Sequence, residues 1–399
     1  MSTSLLRPAL VLGLLSAVGP FAIDMYLPAM PAIGTDIGAS VPVMQSTLTA
    51  YFLAFGVAQL VYGPWADQAG RKPPLYTGLL VFLIGTLICS FATSAPVLLA
   101  GRFVQGLGGA AVMVIPRAVI RDMHTGHQAT RLMAAIMLVI SVSPFLAPLA
   151  GAGFLALGSW RWIFAALALA AGISLLMTRF LLAETLRPAA RKPFSASTLW
   201  HGTKVLMTHR GFLGLTFLGG FGMASFFVFI ASASFVYSEA FGLSPTGFSI
   251  AFAINAVGFF GASQFAAFLG QRFGATQVMA FATMGFALVT AVLFALALVG
   301  ISGLVLTVLG LVVANACLGL VIPTAMVMAL DEHGEIAGLA SSLGGTLQML
   351  VGGVMIVLAG PFFDGTVVPM LGVIALCGLL AFMLSRSVLR HAGQASVGT

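Results

Sequence analysis

A single acidic residue, Asp24, stands in a strongly apolar stretch near the start of the chain. Phe21, Ala22 and Ile23 precede it, and Pro28 follows it four residues later. Burying a carboxylate in apolar surroundings costs free energy unless the group is paired with a cation or takes up a proton. We therefore expect Asp24 to have a cationic partner or to carry a proton.

The composition explains what surrounds this carboxylate. Of the 399 residues, 60% are hydrophobic and 7% are charged, whereas soluble domains contain about 25% charged residues. Apolar stretches long enough to cross a bilayer as helices occupy residues 8–29, 43–66, 74–94, 97–119, 132–156, 160–182, 210–236, 247–270, 276–299, 302–329, 336–360 and 366–388. The chain is predicted to be an all-α membrane protein with twelve transmembrane helices.

A long polar interval divides the chain into two halves of six spans. We predict an N-terminal six-helix bundle over residues 1–183, a cytoplasmic linker over 184–209 and a C-terminal six-helix bundle over 210–399. Two such halves are typical of transporters built from parallel repeats, whose site lies near the midplane between them. The repeat is weak in sequence, because Gly274 follows Gly70 by 204 residues without the basic pair that follows Gly70.

The distribution of cations predicts the orientation in the bilayer. Arg161 lies in an outward connector and Arg102 lies inside the fourth span, while the other Lys and Arg residues, Lys192 in the long connector among them, share one side. Basic residues near spans stay in the cytoplasm, so both termini are predicted to be cytoplasmic. The net charge of +7 forms no basic stripe with interleaved aromatics, which argues against a nucleic-acid partner.

A partner for Asp24 follows from depth in the membrane. The first span runs outward and the fourth runs inward, and Asp24 and Arg102 each lie about five residues from the outer end of their span. We predict that the two form an ion pair and that the affinity of Asp24 for a proton depends on whether the pair is intact. The alternative is a permanent pair that only fixes helix packing.

A ten-residue pattern follows the second span. Residues 63–72 read GPWADQAGRK, which has the form GxxxDxxGRK. This loop resembles the signature of the major facilitator superfamily, and the resemblance implies that the loop steadies the outward-facing state. The predicted conformational residues are Gly63, Asp67, Gly70 and Arg71, with Arg121 and Asp122 at the inner end of the fourth span. A plain topology anchor is the alternative.

Two further motifs extend the resemblance. Residues 102–106, RFVQG, resemble the RxxQG motif that the family links to proton coupling. Residues 144–151, PFLAPLAG, resemble the GPxxGG motif of exporters with alanine at two glycine positions. Pro148 and Gly151 are therefore predicted to mark a bend where the fifth span packs differently in two states.

The resemblance narrows at residues 23–28, 160–162, 184–186 and 340–346, which look like those of the Bcr/CflA group of drug:proton antiporters. It implies a major facilitator fold in the bacterial inner membrane and export of phenicol-like or bicyclomycin-like compounds. No cofactor is expected beyond the transmembrane proton gradient. A proton-coupled exporter or uptake symporter of an endogenous metabolite is the alternative.

Aromatic and amide side chains at helical spacing predict where cargo binds, because they suit a flat and largely neutral molecule. The predicted substrate-binding residues are Tyr26, Tyr51, Phe55, Gln59, Gln105, Phe221, Ser225, Asn255, Asn315 and Gln348. Each of them could instead pack between helices or face lipid. The interiors of spans seven to twelve contain no charge, which favours neutral or singly charged cargo.

The remaining polar residues indicate neither an enzyme nor a metal site. Cys89, Cys317 and Cys377 lie singly in three different apolar stretches, and the six histidines lie in or beside connectors. The spans contain no paired acids and no serine and histidine pair that could act in catalysis. We expect a transporter that works as a monomer in the lipid bilayer, with a small molecule and protons as its partners.

Overall fold

The computed structural model describes residues 3–124, 126–191, 196–331, 333 and 336–395. Its elements are α-helices with short 3-10 turns. In the first half they are α1 (Thr3–Asp24), α2 (Met30–Asp36), α3 (Val41–Ala69), α4 (Lys72–Ser90), α5 (Ala95–Met123), α6 (Gly126–Ala156) and α7 (Arg161–Phe180).

The second half contains eight further helices. They are α8 (Ala196–Thr208), α9 (Arg210–Glu239), α10 (Pro245–Ser263), α11 (Ala266–Phe273), α12 (Ala275–Leu298), α13 (Leu304–Asp331), α14 (Ala337–Ala359) and α15 (Val368–Ala395). In the described part of the chain, twelve straight or broken helices of 19 to 30 residues are long and apolar enough to cross a membrane. The prediction of an all-helical chain with twelve spans is confirmed.

The chain divides into two units, Met1–Ser195 and Ala196–Thr399, with six spans each. The boundary falls inside the interval predicted as a linker. The start of that interval contacts the first unit, because Glu184 hydrogen-bonds to backbone near the start of α4. Its end forms α8, which packs against α9 and α14 in the second unit. Lys192 lies outside the described residues.

The first span is broken, whereas the sequence predicts one continuous stretch. Helix α1 ends at Asp24, a 3-10 turn covers Leu27–Ala29, and α2 continues to Asp36. Proline has no backbone N–H and cannot extend the helical ladder, so Pro28 breaks it. The backbone N–H of Tyr26 bonds to the carbonyl of Ile23 at 3.2 Å, which leaves the carbonyl of Ala22 available to a side chain.

Glycines let the helices around this break approach closely. A Cβ atom on Gly106 of α5 would overlap the backbone carbonyl of Tyr51 on α3, and one on Gly85 of α4 would overlap the backbone of Gln105 on α5. Gly151 of α6 lies in the same way against the carbonyl of Met25. Small residues at helix contacts are the usual means of close approach in membranes. They fix α3, α5 and α6 around the broken turn.

Gly106→Ala is therefore expected to destabilise the protein by about 1–3 kcal/mol, the usual cost of overpacking a well-filled interior. The measurement is thermal unfolding of the purified protein in detergent. Gly172→Ala on α7 is the matched control, since nothing lies within contact distance of a Cβ atom there. Equal unfolding temperatures for the two variants would contradict the close packing of α5 on α3.

Candidate functional site

A fully buried guanidinium forms the centre of the first unit. Arg102 has 0% exposure, and its Nη1 donates hydrogen bonds to the carbonyl of Ala22 at 3.0 Å and to Oε1 of Gln105 at 2.5 Å. The guanidinium carbon lies 4.6 Å from the ring centre of Tyr26 and 4.5 Å from that of Tyr51. Desolvated cation–π contacts of this kind can each be worth about 2 kcal/mol. Two aromatic rings and one backbone carbonyl thus stabilise the cation.

The two tyrosine rings are themselves fixed by hydrogen bonds. The hydroxyl of Tyr26 lies 2.8 Å from Oγ1 of Thr47 on α3. The hydroxyl of Tyr51 donates to the carbonyl of Gly19 on α1 at 3.4 Å. Because one ring belongs to the broken first span and the other to α3, the guanidinium joins both elements to α5.

Gln105 extends this network to a fourth helix. Its Nε2 donates to Oγ1 of Thr86 on α4 at 2.9 Å, and that hydroxyl donates to the carbonyl of Phe82 at 2.7 Å. Both side-chain polar atoms of Gln105 and the hydroxyl of Thr86 therefore have partners, as buried polar groups generally require. The RxxQG motif therefore acts as one connected unit in which Gln105 orients Arg102.

The predicted ion pair between Asp24 and Arg102 is wrong. Asp24 is 7% exposed and accepts a hydrogen bond from Oγ of Ser143 on α6 at 2.9 Å. Among the described residues, the salt bridges join Arg71 to Asp67 and Asp122, and Arg161 to Asp36, and none joins Asp24 to Arg102. Where the first span is broken, Arg102 instead contacts the free carbonyl of Ala22 and the ring of Tyr26. Nε and Nη2 of Arg102 have no partner within the described part.

Ser143 is a site residue that the sequence analysis missed. It lies directly before the PFLAPLAG motif and 119 residues from Asp24, and a serine in an apolar span does not by itself indicate a polar site. A hydroxyl can donate to an ionised carboxylate and accept from a protonated one. The pair of Asp24 and Ser143 can therefore hold the carboxyl group in either protonation state.

Four of the five predicted substrate residues of the first unit contact Arg102 or a ring that supports it. Tyr26, Tyr51 and Gln105 each have 0% exposure, and the ring of Phe55 stacks on Tyr51 with centres 6.1 Å apart. Gln59, one turn further along α3, is half-buried and its Nε2 has no partner among the described residues. Contact of these five residues with cargo stays a prediction. In this structure Tyr26, Tyr51 and Gln105 contact the guanidinium, and Phe55 contacts Tyr51.

The predicted residues of the second unit fall into separate places. Nδ2 of Asn315 on α13 donates to Oδ1 of Asn255 on α10 at 3.3 Å, so these two amides join helices. Oγ of Ser225 donates to the carbonyl of Gly222 within α9 at 2.7 Å. Phe221 is half-buried, and Gln348 lines a pocket between α9, α13 and α14.

The loop motif is assembled around Arg71. This arginine donates through Nε and Nη2 to both carboxylate oxygens of Asp122 at 2.6 and 2.9 Å, and through Nη1 to Asp67 at 2.5 Å. Gly70 has a φ of +98° at the turn, a conformation that favours glycine. The predicted grouping of Asp67, Arg71 and Asp122 is therefore present.

Two predicted members stand outside this cluster. Arg121 is exposed and takes part in no salt bridge within the described ranges. Gly63 has nothing within contact distance of an added Cβ atom, so its small size is not needed for packing in this structure.

In α6, Pro148 and Gly151 lie within one continuous helix, and Gly151 packs against the carbonyl of Met25.

Glu184 completes the cluster in a way that the sequence analysis missed. Its carboxylate accepts hydrogen bonds from the backbone N–H groups of Arg71, Lys72 and Leu186 at 2.9, 3.0 and 3.0 Å. A carboxylate is favourable at a helix N-terminus, here that of α4. Burial raises the pKa of Glu184, but the backbone hydrogen bonds outweigh it, so the pKa lies below its ordinary value.

Comparison with known proteins agrees with this architecture. The sequence profile described as Major Facilitator Superfamily matches residues 12–356. The chain is 32% identical over 384 residues to an uncharacterized MFS-type transporter, YdgK, of Bacillus subtilis, covering 94% of each. It is 31% identical over 398 residues to a bicyclomycin resistance protein homolog of Haemophilus influenzae, covering 95% of this chain and 96% of that protein.

The fold also resembles that of a solved transporter. The crystal structure of a D-xylose-proton symporter matches with a TM-score of 0.76 and 14% identity, covering 95% of this chain and 96% of that chain. At this identity the likeness concerns the fold alone.

The cap by Glu184 predicts a pH-dependent loosening of the loop. Because the pKa of Glu184 is lowered in the folded protein, the stabilisation by the cap is present above the ordinary pKa of 4.5 and is lost as pH falls through the lower folded value. Amide hydrogen exchange at Arg71 and Lys72, corrected for intrinsic rates, should accelerate over that range. Glu184→Gln should exchange faster already at neutral pH and show no such step. Identical protection in both proteins at neutral pH would contradict the cap.

Proposed function

Since the chain belongs to the major facilitator superfamily and is a multi-pass membrane transporter rather than an enzyme, we propose that it exports small amphipathic compounds in exchange for protons. The observation that supports this proposal is a buried carboxylate, Asp24, in a broken membrane span beside a buried guanidinium. Ionisable groups inside a membrane usually belong to ion or substrate pathways.

Asp24 is the proposed proton carrier. It is the last residue of α1, where the helix is interrupted, and its hydrogen bond with Ser143 suits both protonation states. A proton entering from outside neutralises this carboxylate, and its release to the cytoplasm restores the charge. The transmembrane proton gradient supplies the free energy, and no cofactor is required.

Arg102 is the proposed fixed charge against which the proton acts. It holds the carbonyl of Ala22, two residues before Asp24, and the ring of Tyr26, two residues after it. Charges in a poorly screened interior interact strongly, so neutralising Asp24 changes the field at the turn that Arg102 holds. Proton and cargo thereby favour different conformations of one protein, which is the requirement for coupled exchange.

The proposed cargo is neutral or singly charged. In the described residues of spans seven to twelve, charged side chains stand only near span ends, at Arg210, Glu239, Arg272, Asp331 and Arg386. The relative from H. influenzae is named for bicyclomycin resistance, a name that supports antibiotic-like cargo such as bicyclomycin-like or phenicol-like compounds. The distribution of Lys and Arg supports a bacterial inner-membrane location with both termini in the cytoplasm.

Asp24→Asn is expected to abolish coupled export, because asparagine cannot take up or release the proton. The measurement is the susceptibility of an efflux-deficient bacterial host to phenicols and bicyclomycin, with variants at matched expression. Asp36→Asn is the control, since this carboxylate ends the same broken span but its side chain is 49% exposed. The control should protect the host like the wild type.

Two results would count against the proposal. Full gradient-driven export by Asp24→Asn would remove Asp24 as the proton site. Absence of protection by the wild type against every compound would favour an endogenous metabolite as the cargo.

Arg102→Lys is expected to lower export by about tenfold or more, because an ammonium group lacks the planar fork that stacks between two rings and reaches the Ala22 carbonyl. Drug accumulation in inverted vesicles under an imposed pH gradient measures it. Arg161→Lys serves as the control, because Arg161 stacks on the Trp160 ring at 4.2 Å but is partly exposed. Wild-type export by Arg102→Lys would show that charge alone suffices.

A further inference from the structure

Helix α8 lies at the end of the second unit where the predicted cytoplasmic connector joins it. It ends at Thr208, and His209 alone separates it from α9, which is long and apolar enough to cross a membrane. A Cβ atom added to Gly202 would lie 2.6 Å from Cδ2 of Leu339, two residues after the start of α14, another such span. Because α8 packs on two spans near their first turns, it lies at the level of the membrane surface.

The apolar side of α8 is wider than the face that packs on the unit. Leu206 has 0% exposure, Gly202 is buried and Leu199 is half-buried, and the three fall on one side of a helix with about 3.6 residues per turn. Met207 and Trp200 follow next to Leu199 around the helix, yet they are 42% and 74% exposed. Protein therefore covers one part of the apolar side and leaves the other part open.

Polar side chains occupy the side of α8 that points away from the unit. The exposed residues there are Ser197, His201, Lys204 and Thr208, together with Val205. Lys204 follows Trp200 by about one turn, so a cation stands at the border between the polar side and the uncovered apolar part. An apolar side, a polar side and basic residues on the polar side are typical of helices that lie in the plane of a membrane interface.

The uncovered part of α8 matches a lipid surface in both polarity and charge. Leaving Trp200 and Met207 in water would forgo the free energy of apolar burial, and tryptophan is enriched at the level of the lipid head groups. Lys204 and Arg210 are exposed and form no salt bridge within the described ranges. Basic residues next to a membrane span attract anionic phospholipids.

We propose that α8 is a lipid-binding helix that lies on the cytoplasmic leaflet. Trp200 and Met207 enter the boundary between head groups and acyl chains, and Lys204 contacts the phosphate of an anionic phospholipid. Through the contact of Gly202 with Leu339, the bound leaflet also holds the start of α14. The proposal concerns an outer surface of the second unit and does not depend on the exported compound or on proton coupling.

Fluorescence quenching tests the depth of Trp200. The protein is placed in lipid nanodiscs, which leave both membrane faces open to solvent. Phosphatidylcholine brominated in its acyl chains quenches tryptophan from the lipid, and iodide quenches it from water. Trp200→Phe reports the signal of the other tryptophans, so the difference between the two proteins belongs to Trp200. Brominated lipid should quench most of this difference, and iodide should leave it nearly unchanged.

Lipid selectivity tests Lys204. In nanodiscs of phosphatidylglycerol and phosphatidylcholine, one lipid at a time is brominated, and the ratio of their apparent binding constants at Trp200 is measured. The ratio should favour phosphatidylglycerol in the wild type and should fall by about fivefold in Lys204→Gln, the effect of one cation at the surface. Arg272→Gln is the matched control, because Arg272 is an exposed cation on α11, which packs on α12 and α13. Its ratio should equal that of the wild type.

The opposite results overturn the proposal. Quenching of Trp200 by iodide and not by brominated lipid would show that this side of α8 faces the aqueous phase. Protection of Trp200 from both quenchers would show that protein, such as a second copy of the chain, covers it. Equal quenching by the two brominated lipids in the wild type, or the same ratio in Lys204→Gln as in Arg272→Gln, would remove the anionic lipid as the partner of Lys204.

Discussion

The burial of one guanidinium constrains the centre of the first unit. A buried charge needs partners that replace the water it has lost. Arg102 contacts the rings of Tyr26 and Tyr51 and the carbonyl of Ala22. That carbonyl is free because α1 ends at Asp24 and the backbone N–H of Tyr26 bonds to the carbonyl of Ile23 instead. The ring of Tyr51 reaches the guanidinium because Gly106 lets α5 approach α3 closely. The broken helix, the close packing of α5 on α3 and Gln105 of the RxxQG motif together supply the partners that the buried guanidinium needs.

The separation of Asp24 from Arg102 determines how the proposed proton coupling works. An ion pair would be made or broken by protonation directly. Here the carboxylate is held by Ser143 on α6 and the cation by two rings and a carbonyl. Both groups lie at the broken turn, but no salt bridge joins them. Protonation is thus proposed to act through the field at that turn and through the packing of α6 on it, where Gly151 meets Met25.

The two units keep one feature of the expected repeat and differ in another. Gly70 and Gly274 stand at equivalent turns after spans two and eight, with φ of +98° and +88°. The first turn is surrounded by Arg71, Asp122 and Glu184, which join three helix ends. The second has no basic pair after it. The second unit instead joins α10 to α13 through the amides of Asn255 and Asn315, so the polar contacts of the two halves have diverged.

The sequence by itself determined the twelve spans, the membrane class, the superfamily and the grouping of Asp67, Arg71 and Asp122. Span length and hydrophobicity are local properties that the bilayer thickness sets, and the motif residues lie close along the chain or at matching helix ends. Only the tertiary structure decided the partners of Arg102 and Asp24 and the cap by Glu184. Those contacts join residues far apart in sequence, and they depend on how closely particular helices approach and which buried acceptor is left free. The residue pattern along one helix contains no information about how closely that helix approaches another or about which acceptor stays free.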